Sequence, residues 1–347
     1  MKAFPYLSEE RLRELLERMR GVRVALLGDL CLDVYWFADM TRSRLSRETP
    51  HFPLPVMQER MSAGAGGNVV SNLSVLSDHL IPLGILGNDW RGKCLREVFE
   101  AQGISTEYIL AINGRITNAY CKPMRRGYAG TDMEDPRIDF ESFEPLPHEA
   151  EEQLLTRLDE IASRVDLLCV SDQFEFGCVT ERVREKVNEL ARDGLLTVVD
   201  SRSRICHYRH CILKPNEMEC ARALGYPDDY LHAKHATEEQ IERAASALQA
   251  RTESDICLTL GERGCLILRG EHRTRVESVR VSPPIDIVGA GDCFLSAFSL
   301  ALAAGASDAE AGSIGALASS VCVKKINTTG SACCEEILAS FHSGEVS

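Results

Sequence analysis

The run DIVGAGDCFLSAF, from Asp286 to Phe298, holds the densest set of groups able to do chemistry. Gly289, Ala290 and Gly291 are small and lead straight into Asp292, after which an apolar pattern of helical period begins. The first N–H groups of a helix lack internal partners and lie at the positive end of its dipole, so they can hold an anion. Small residues let that anion come close to the backbone. A carboxylate there would repel a bound phosphate, yet it can take the proton of a hydroxyl that attacks the phosphate. One segment would then supply an anion hole and a general base. A plain helix start, with Asp as N-cap, needs the same residue types.

The elements that must position this segment follow from periodicity. Apolar runs at 22–27, 80–86, 167–170, 195–199, 211–213 and 256–260 read as buried parallel strands. Helical patterns fall between them at 69–76, 91–102, 149–163, 180–192 and 237–250, and the tail 291–338 is almost wholly helical. The alternation predicts an α/β fold, a doubly wound, mostly parallel sheet with helices on both faces. Two polar, β-prone stretches, about 34–61 and 115–141, interrupt it and read as a small β-sheet lid on one folding unit that takes in residues 1–347. Ligands of such sheets bind beyond the carboxyl ends of the strands. Those ends carry Asp29 and Asp33, Asp172, Asp200, Lys214 to Asn216 with Glu219, and Thr259 to Gly261. Asn216 and Glu219 are one helical turn apart and suit Mg²⁺ bound through its waters.

Composition narrows the partners. The 347 residues carry a net charge of −13, which argues against a nucleic-acid groove or an anionic membrane surface. No apolar run reaches membrane-spanning length. The opening residues read as an amphipathic helix capped by Ser8, with Leu12, Leu15, Leu16 and Met19 on one face, rather than as a signal peptide. Fourteen cysteines, scattered through apolar runs without a CxxC pair, predict reduced thiols and a cytoplasmic setting. Cys206, His207, His210 and Cys211 cluster, but their spacing fits no standard zinc module. A dinucleotide fold is disfavoured because Gly64 to Gly67 lies far from the first strand, and no GxxxxGK[ST] loop occurs.

Four motifs in order give a resemblance: Gly64-Ala65-Gly66-Gly67-Asn68 with Asn72; Gly87-Asn88-Asp89 with Gly92; Asn216-x-x-Glu219; and Gly289-Ala290-Gly291-Asp292. From about Val22 onward the chain resembles the ribokinase/PfkB family of carbohydrate kinases. Within it, Ser43 to Ser46 with Pro50, Arg137 to Glu141, and Val170 to Asp172 are most similar to the heptose-7-phosphate 1-kinases. The resemblance implies a ribokinase-like fold and an ATP-dependent, Mg²⁺-requiring sugar kinase. Asp292 would be the base, and the amides of Ala290 to Asp292 the anion hole. Asp33, Gly66, Gly67, Asn68, Asn72 and Asp172 would surround the sugar. Asn216, Thr259, Gly261, Gly264, Asn327 and Gly330 would meet the nucleotide. Asn216 and Glu219 would organise Mg²⁺, while Asp286 and the Val288 carbonyl would hold a monovalent cation such as K⁺. A homodimer formed through the lid is implied as well. A non-catalytic sugar- or nucleotide-binding relative with the same fold is the alternative; it would be expected to have lost Asp292 or its glycines, and both are present.

The departures concern charge. Val288 stands where the family usually has Thr. Tyr120 and Glu175 stand where heptose-phosphate kinases usually carry Lys. A sugar phosphate needs cations, which Arg44, Arg47, Lys122 or Arg125 would have to supply; without them the substrate is an uncharged sugar.

Overall fold

The structure, a computed structural model, describes residues 5–128, 130–232, 236–326 and 330–343. After an opening helix α1 (Glu9–Arg20), strand β1 (Arg23–Gly28) enters the centre of a sheet. It runs directly into β2 (Leu30–Asp39) and β3 (Val56–Ala65), which leave that sheet, and α2 (Gly66–Ser74) brings the chain back. Then follow β4 (His79–Gly87), α3 (Trp90–Ala101) and β5 (Ile109–Ile112), and an excursion through β6 (Asn118–Arg126), β7 (Asp132–Glu134) and β8 (Ile138–Phe140). The remainder alternates: α4 (His148–Ala162), β9 (Leu167–Asp172), α5 (Glu181–Arg192), β10 (Leu196–Ser201), β11 (Ile212–Leu213), α6 (Glu217–Ala223), α7 (Glu238–Thr252) and β12 (Asp255–Thr259). A hairpin of β13 (Cys265–Arg269) and β14 (His272–Val276) precedes α8 (Ala290–Ala303), α9 (Asp308–Cys322) and α10 (Cys334–Ser343).

Among the described residues the main sheet has nine strands in the order β14-β13-β12-β11-β10-β9-β1-β4-β5. From β12 to β5 every pairing is parallel, so the ends of β1, β9, β10, β11 and β12 share one edge. Alternate residues of β1 face opposite cores. Val24 and Leu26 pack with α1, α2, α8 and α9, whereas Ala25 and Leu27 pack with α4, α5 and α7. Burial on both faces is why the strand is apolar throughout. The helix α1 takes the expected form, capped by Ser8, with Leu12, Leu15, Leu16 and Met19 buried.

The second sheet, β3-β2-β6-β7 with β8 on β6, falls where the lid was expected. It begins earlier and ends later than expected, because β2 and β3 extend from residue 30 to residue 65. Apolar residues at 30–32 and 63 are buried and continue the core into it. Strands β5 and β13 and helix α6 also go beyond the expected elements. Each is short or amphipathic, too weak a periodic signal to stand out. All fourteen cysteines are free thiols. The residues 206–211 form no metal-binding group among the described residues; Cys211 Sγ instead lies 3.1 Å from the Arg209 carbonyl. No helix among the described residues is long and apolar enough to cross a membrane.

Candidate active site

Helix α8 opens at the shared strand edge. Its N-cap is Gly289, in the left-handed region at φ 81°, and no side chain caps it. That conformation suits Gly and leaves the helix start open to a ligand. Asp292 is therefore the third helical residue, not an N-cap. The Ala290 N–H donates to the Ile287 carbonyl at 3.2 Å. The anion hole is thus narrower than the sequence implied: of its three amides, those of Gly291 and Asp292 have no hydrogen-bond partner among the described residues. Lys214, buried at the end of β11, points toward them; a Cβ on Gly291 would lie 3.9 Å from its Nζ. Burial pulls the Lys214 ammonium down, but Asp200 at 3.4 Å, Glu219 and Asp292 hold it above its ordinary value.

Asp292 is partly buried, and its carboxyl is pushed up to about 7. Burial is the main cause, with Asp200 and Asp33 adding to it. The Asn68 amide opposes the shift by donating to Asp292 Oδ2 at 2.7 Å, and Lys214 opposes it too. Helices α2 and α8 begin side by side, which brings residues 68 and 292 together.

Asp33, on β2, is buried. Lys122 Nζ donates to its Oδ2 at 3.1 Å, while its Oδ1 has no hydrogen-bond partner. Gly64 makes room for this carboxylate, since a Cβ there would lie 2.6 Å from Oδ1. Gly66 and Gly67 are buried at the start of α2, and the Gly66 N–H donates to the Asp29 carbonyl at 2.8 Å. They hold the turn against β2 rather than facing open space. Asn72 is buried as well, bonded to Asn68.

Asp172 corrects an expectation. Its carboxylate is filled by Arg204, by the Ser201 hydroxyl at 2.8 Å and by the Tyr208 hydroxyl at 3.0 Å. No acceptor is left for a sugar. Arg204 also bonds the Phe174 and Glu175 carbonyls, so this network shapes the loop after β9. Asp29 anchors the same loop by accepting the N–H groups of Gln173, Phe174 and Cys178 at 2.8, 2.9 and 2.7 Å.

Asn216 and Glu219 form a capping box on α6: Asn216 Oδ1 accepts the Glu219 N–H, and Glu219 Oε2 accepts the Asn216 N–H. Glu219 is pushed up to about 7, by burial first and by Asp200 second. The Thr259 hydroxyl donates to the Pro215 carbonyl at 3.2 Å and fastens β12 to this loop. Gly261 is exposed, Gly264 closes the turn against the Val276 carbonyl, and Gly330 is buried with its carbonyl 3.4 Å from Cys322 Sγ. Asn327 lies outside the described residues. Asp286 Oδ1 accepts the Val288 N–H at 3.0 Å, and the Val288 carbonyl faces Cys322 Sγ at 3.7 Å.

The lid cations divide. Lys122 is paired with Asp33, and Arg125 with Asp135 at 2.6 Å. Arg44 and Arg47 are exposed, with no ion pair among the described residues. Tyr120 sits under the Arg137 guanidinium, 4.0 Å from its ring centroid. Lys214 and Asp200 are site residues that strand-end reading noted without giving them roles. Arg202, exposed next to Ser201, had no sequence signal at all; its charge is felt at both Tyr120 and Glu219.

Comparison with known proteins bears on the family and the fold. The profile described as pfkB family carbohydrate kinase matches residues 34–333. Two relatives, each named Bifunctional protein HldE, come from Geotalea uraniireducens, 30% identical over 327 residues, and Gluconacetobacter diazotrophicus, 28% identical over 329. Either alignment covers 93% of this chain and 64% of the relative, so the chain spans just under two thirds of their length. Ribokinase from Arabidopsis thaliana, solved with ribose and ATP, has a TM-score of 0.68 at 20% identity, covering 92% of this chain and 99% of that one. Phosphofructokinase-2 from Escherichia coli, solved in complex with potassium, gives 0.68 at 18%, covering 93% and 99%. These two share the ribokinase-like fold with this protein. With its motifs gathered at one sheet edge and the family profile spanning most of its length, the chain belongs to the pfkB family of carbohydrate kinases, phosphotransferases whose acceptor is a sugar hydroxyl.

Proposed function

We propose that this chain transfers the γ-phosphate of ATP to a hydroxyl of a sugar bound between the lid and the start of α2. The observation that carries the reading is Asp292: a carboxyl with a proton affinity near neutrality, beside two free amides and the buried Lys214. A base works best when its pKa lies near the working pH. Asp292 takes the proton as the hydroxyl oxygen attacks in line. The amides of Gly291 and Asp292, with Lys214, receive the charge gathering on the phosphoryl oxygens. Asp33 Oδ1 and the Asn68 amide orient the sugar through its hydroxyls. Thr259, Gly261, Gly264, Asn327 and Gly330 border the nucleotide in this reading.

Mg²⁺ fits the oxygen set of Asn216, Glu219 and Asp200, because two carboxylates stand close enough there for Asp200 to add to burial in raising the proton affinity of Glu219. When bound, the ion neutralises charge on the phosphate oxygens. A monovalent cation at Asp286 and the Val288 carbonyl belongs to the same reading, with turnover in K⁺ set against turnover in a large organic cation as its check. The free thiols accord with a reducing, cytoplasmic setting.

The acceptor we favour is a heptose 7-phosphate, supported by the motif resemblance and by the names of the relatives. An unphosphorylated sugar is the second reading, supported by Lys122 and Arg125 being already paired. ATP consumption with heptose 7-phosphate and with the matching free heptose separates the two. The reaction itself is tested by Asp292→Asn. The expected result is a kcat lower by about 10²–10⁴-fold with sugar affinity nearly unchanged. Near-normal turnover in that variant would discard the reading. Sugar binding without turnover by the unaltered protein would indicate a sensor.

A further inference from the structure

The Asn68 amide has two ends of almost equal shape and opposite hydrogen-bonding character. If its N–H₂ faces Asp292, the carboxylate can accept a bond while ionised. If its oxygen faces Asp292, two acceptors meet, and only a protonated carboxylic acid can bridge them. Amide orientation and the proton on the base are therefore coupled. Asn68 Nδ2 lies 2.7 Å from Asp292 Oδ2. Behind it, Asn72 Nδ2 donates to Asn68 Oδ1 at 3.2 Å and to the Asn68 backbone carbonyl at 2.8 Å. That carbonyl can only accept, so it dictates which end of Asn72 faces residue 68. Asn72 is 1% exposed, and its own Oδ1 has no hydrogen-bond partner, a cost that its orientation imposes.

We infer that Asn72 is a positioning residue: by donating to Asn68 Oδ1 it keeps the N–H₂ end of Asn68 on Asp292, and so weakens the hold of the base on its proton before the sugar arrives. The inference rests on the reading of Asp292 as the base. When a sugar hydroxyl takes its place beside Asp292, Asn68 can pass its N–H to the sugar without turning over. The other groups facing Asp292 are Asp33 on β2, Asp200 on β10 and Lys214 beyond β11, with the Cys293 and Cys322 thiols behind it. None of them fixes the orientation of the Asn68 amide.

The test is the titration of the Asp292 carboxyl by ¹³C NMR, with its resonance assigned from its loss in Asp292→Asn. Asn72→Ala should raise the midpoint by about half a unit to one unit. The acid limb of kcat/KM should move with it, costing about three- to eightfold at pH 6.5. Asn72→Gln, whose amide can still donate to both oxygens, should stay near the unaltered protein. An unmoved midpoint in Asn72→Ala, or an equal shift in both variants, would overturn the inference. In the unaltered protein, the side-chain amide protons of Asn68 and Asn72 should shift with the same midpoint as Asp292, and Asn72 protons blind to that titration would also overturn it. The NMR midpoint needs no turnover, so a failed kinase reading and a failed positioning role give different results.

Discussion

At the scale of single residues, the site keeps a carboxylate where folding alone would prefer none. An Asp whose folded pKa lies above its unfolded one binds more protons folded than unfolded. Its cost to stability is absent below the unfolded value of about 3.9 and complete above the folded value of about 7. Asp292→Asn should therefore melt higher than the unaltered protein at pH 8 and show little difference at pH 4. The gap should be at most on the order of a few kcal/mol. Thermal melts across that range check it, and an equal gap at both pH values would contradict the assignment. Asp33 gives a second residue-level outcome. In Gly64→Ala the new Cβ must displace the Asp33 carboxylate or the β3 backbone, so the KM for the sugar should rise about tenfold or more, since the uncompensated contact is worth roughly 1.5–3 kcal/mol. The KM for ATP should hold, because the residues proposed to border the nucleotide follow β11 and β12 and not β3.

At the scale of elements, several motif residues hold structure rather than ligand. Asp89 accepts the Gly92 N–H at 2.9 Å and caps α3, so Gly87-Asn88-Asp89 with Gly92 forms a helix start. The Asn216–Glu219 pair leaves half of its polar atoms for other partners while its capping box sets the entry of α6. Asp172 ends β9 and Arg204 follows β10, and together they hold the loop after β9. Removing the cation would strand a carboxylate with no exposed side-chain surface. Arg204→Ala should then lose about 3–5 kcal/mol, read by urea unfolding. Double replacement by apolar residues at 172 and 204 should recover part of that loss. Recovery of nothing would mean that the arginine's bonds to the Phe174 and Glu175 carbonyls matter more than the ion pair.

At the scale of the whole molecule, the lid leaves an edge. β3 ends its sheet, and Val56 and Met57 are 46% and 55% exposed there, with Ile138 at 48% on β8. An open edge carrying apolar side chains invites pairing with a second copy. We expect a homodimer through the lid. Light scattering should give twice the chain mass of 38.4 kDa, and Met57→Glu should halve it. A monomer in the unaltered protein would count against the lid interface.

The amino-acid sequence by itself determined the alternation of strands and helices, the helical tail, the two lid excursions and the place of Asp292, because each rests on local periodicity or on residue types adjacent in the chain. It also carried the order of the glycine motifs. Only the tertiary structure decided which of those residues still have an atom to offer. Asp33 and Asp172 are both strand-end carboxylates, yet one keeps a free oxygen and the other is filled by Arg204, Ser201 and Tyr208. Lys214 and Asp292, remote in the chain, share one pocket of charge, and the buried Asn72 spends its amide N–H on Asn68. Hydrogen-bond capacity is finite and is taken up across the fold by partners far apart in the chain, so which polar group remains unspent is settled by packing and not by spacing.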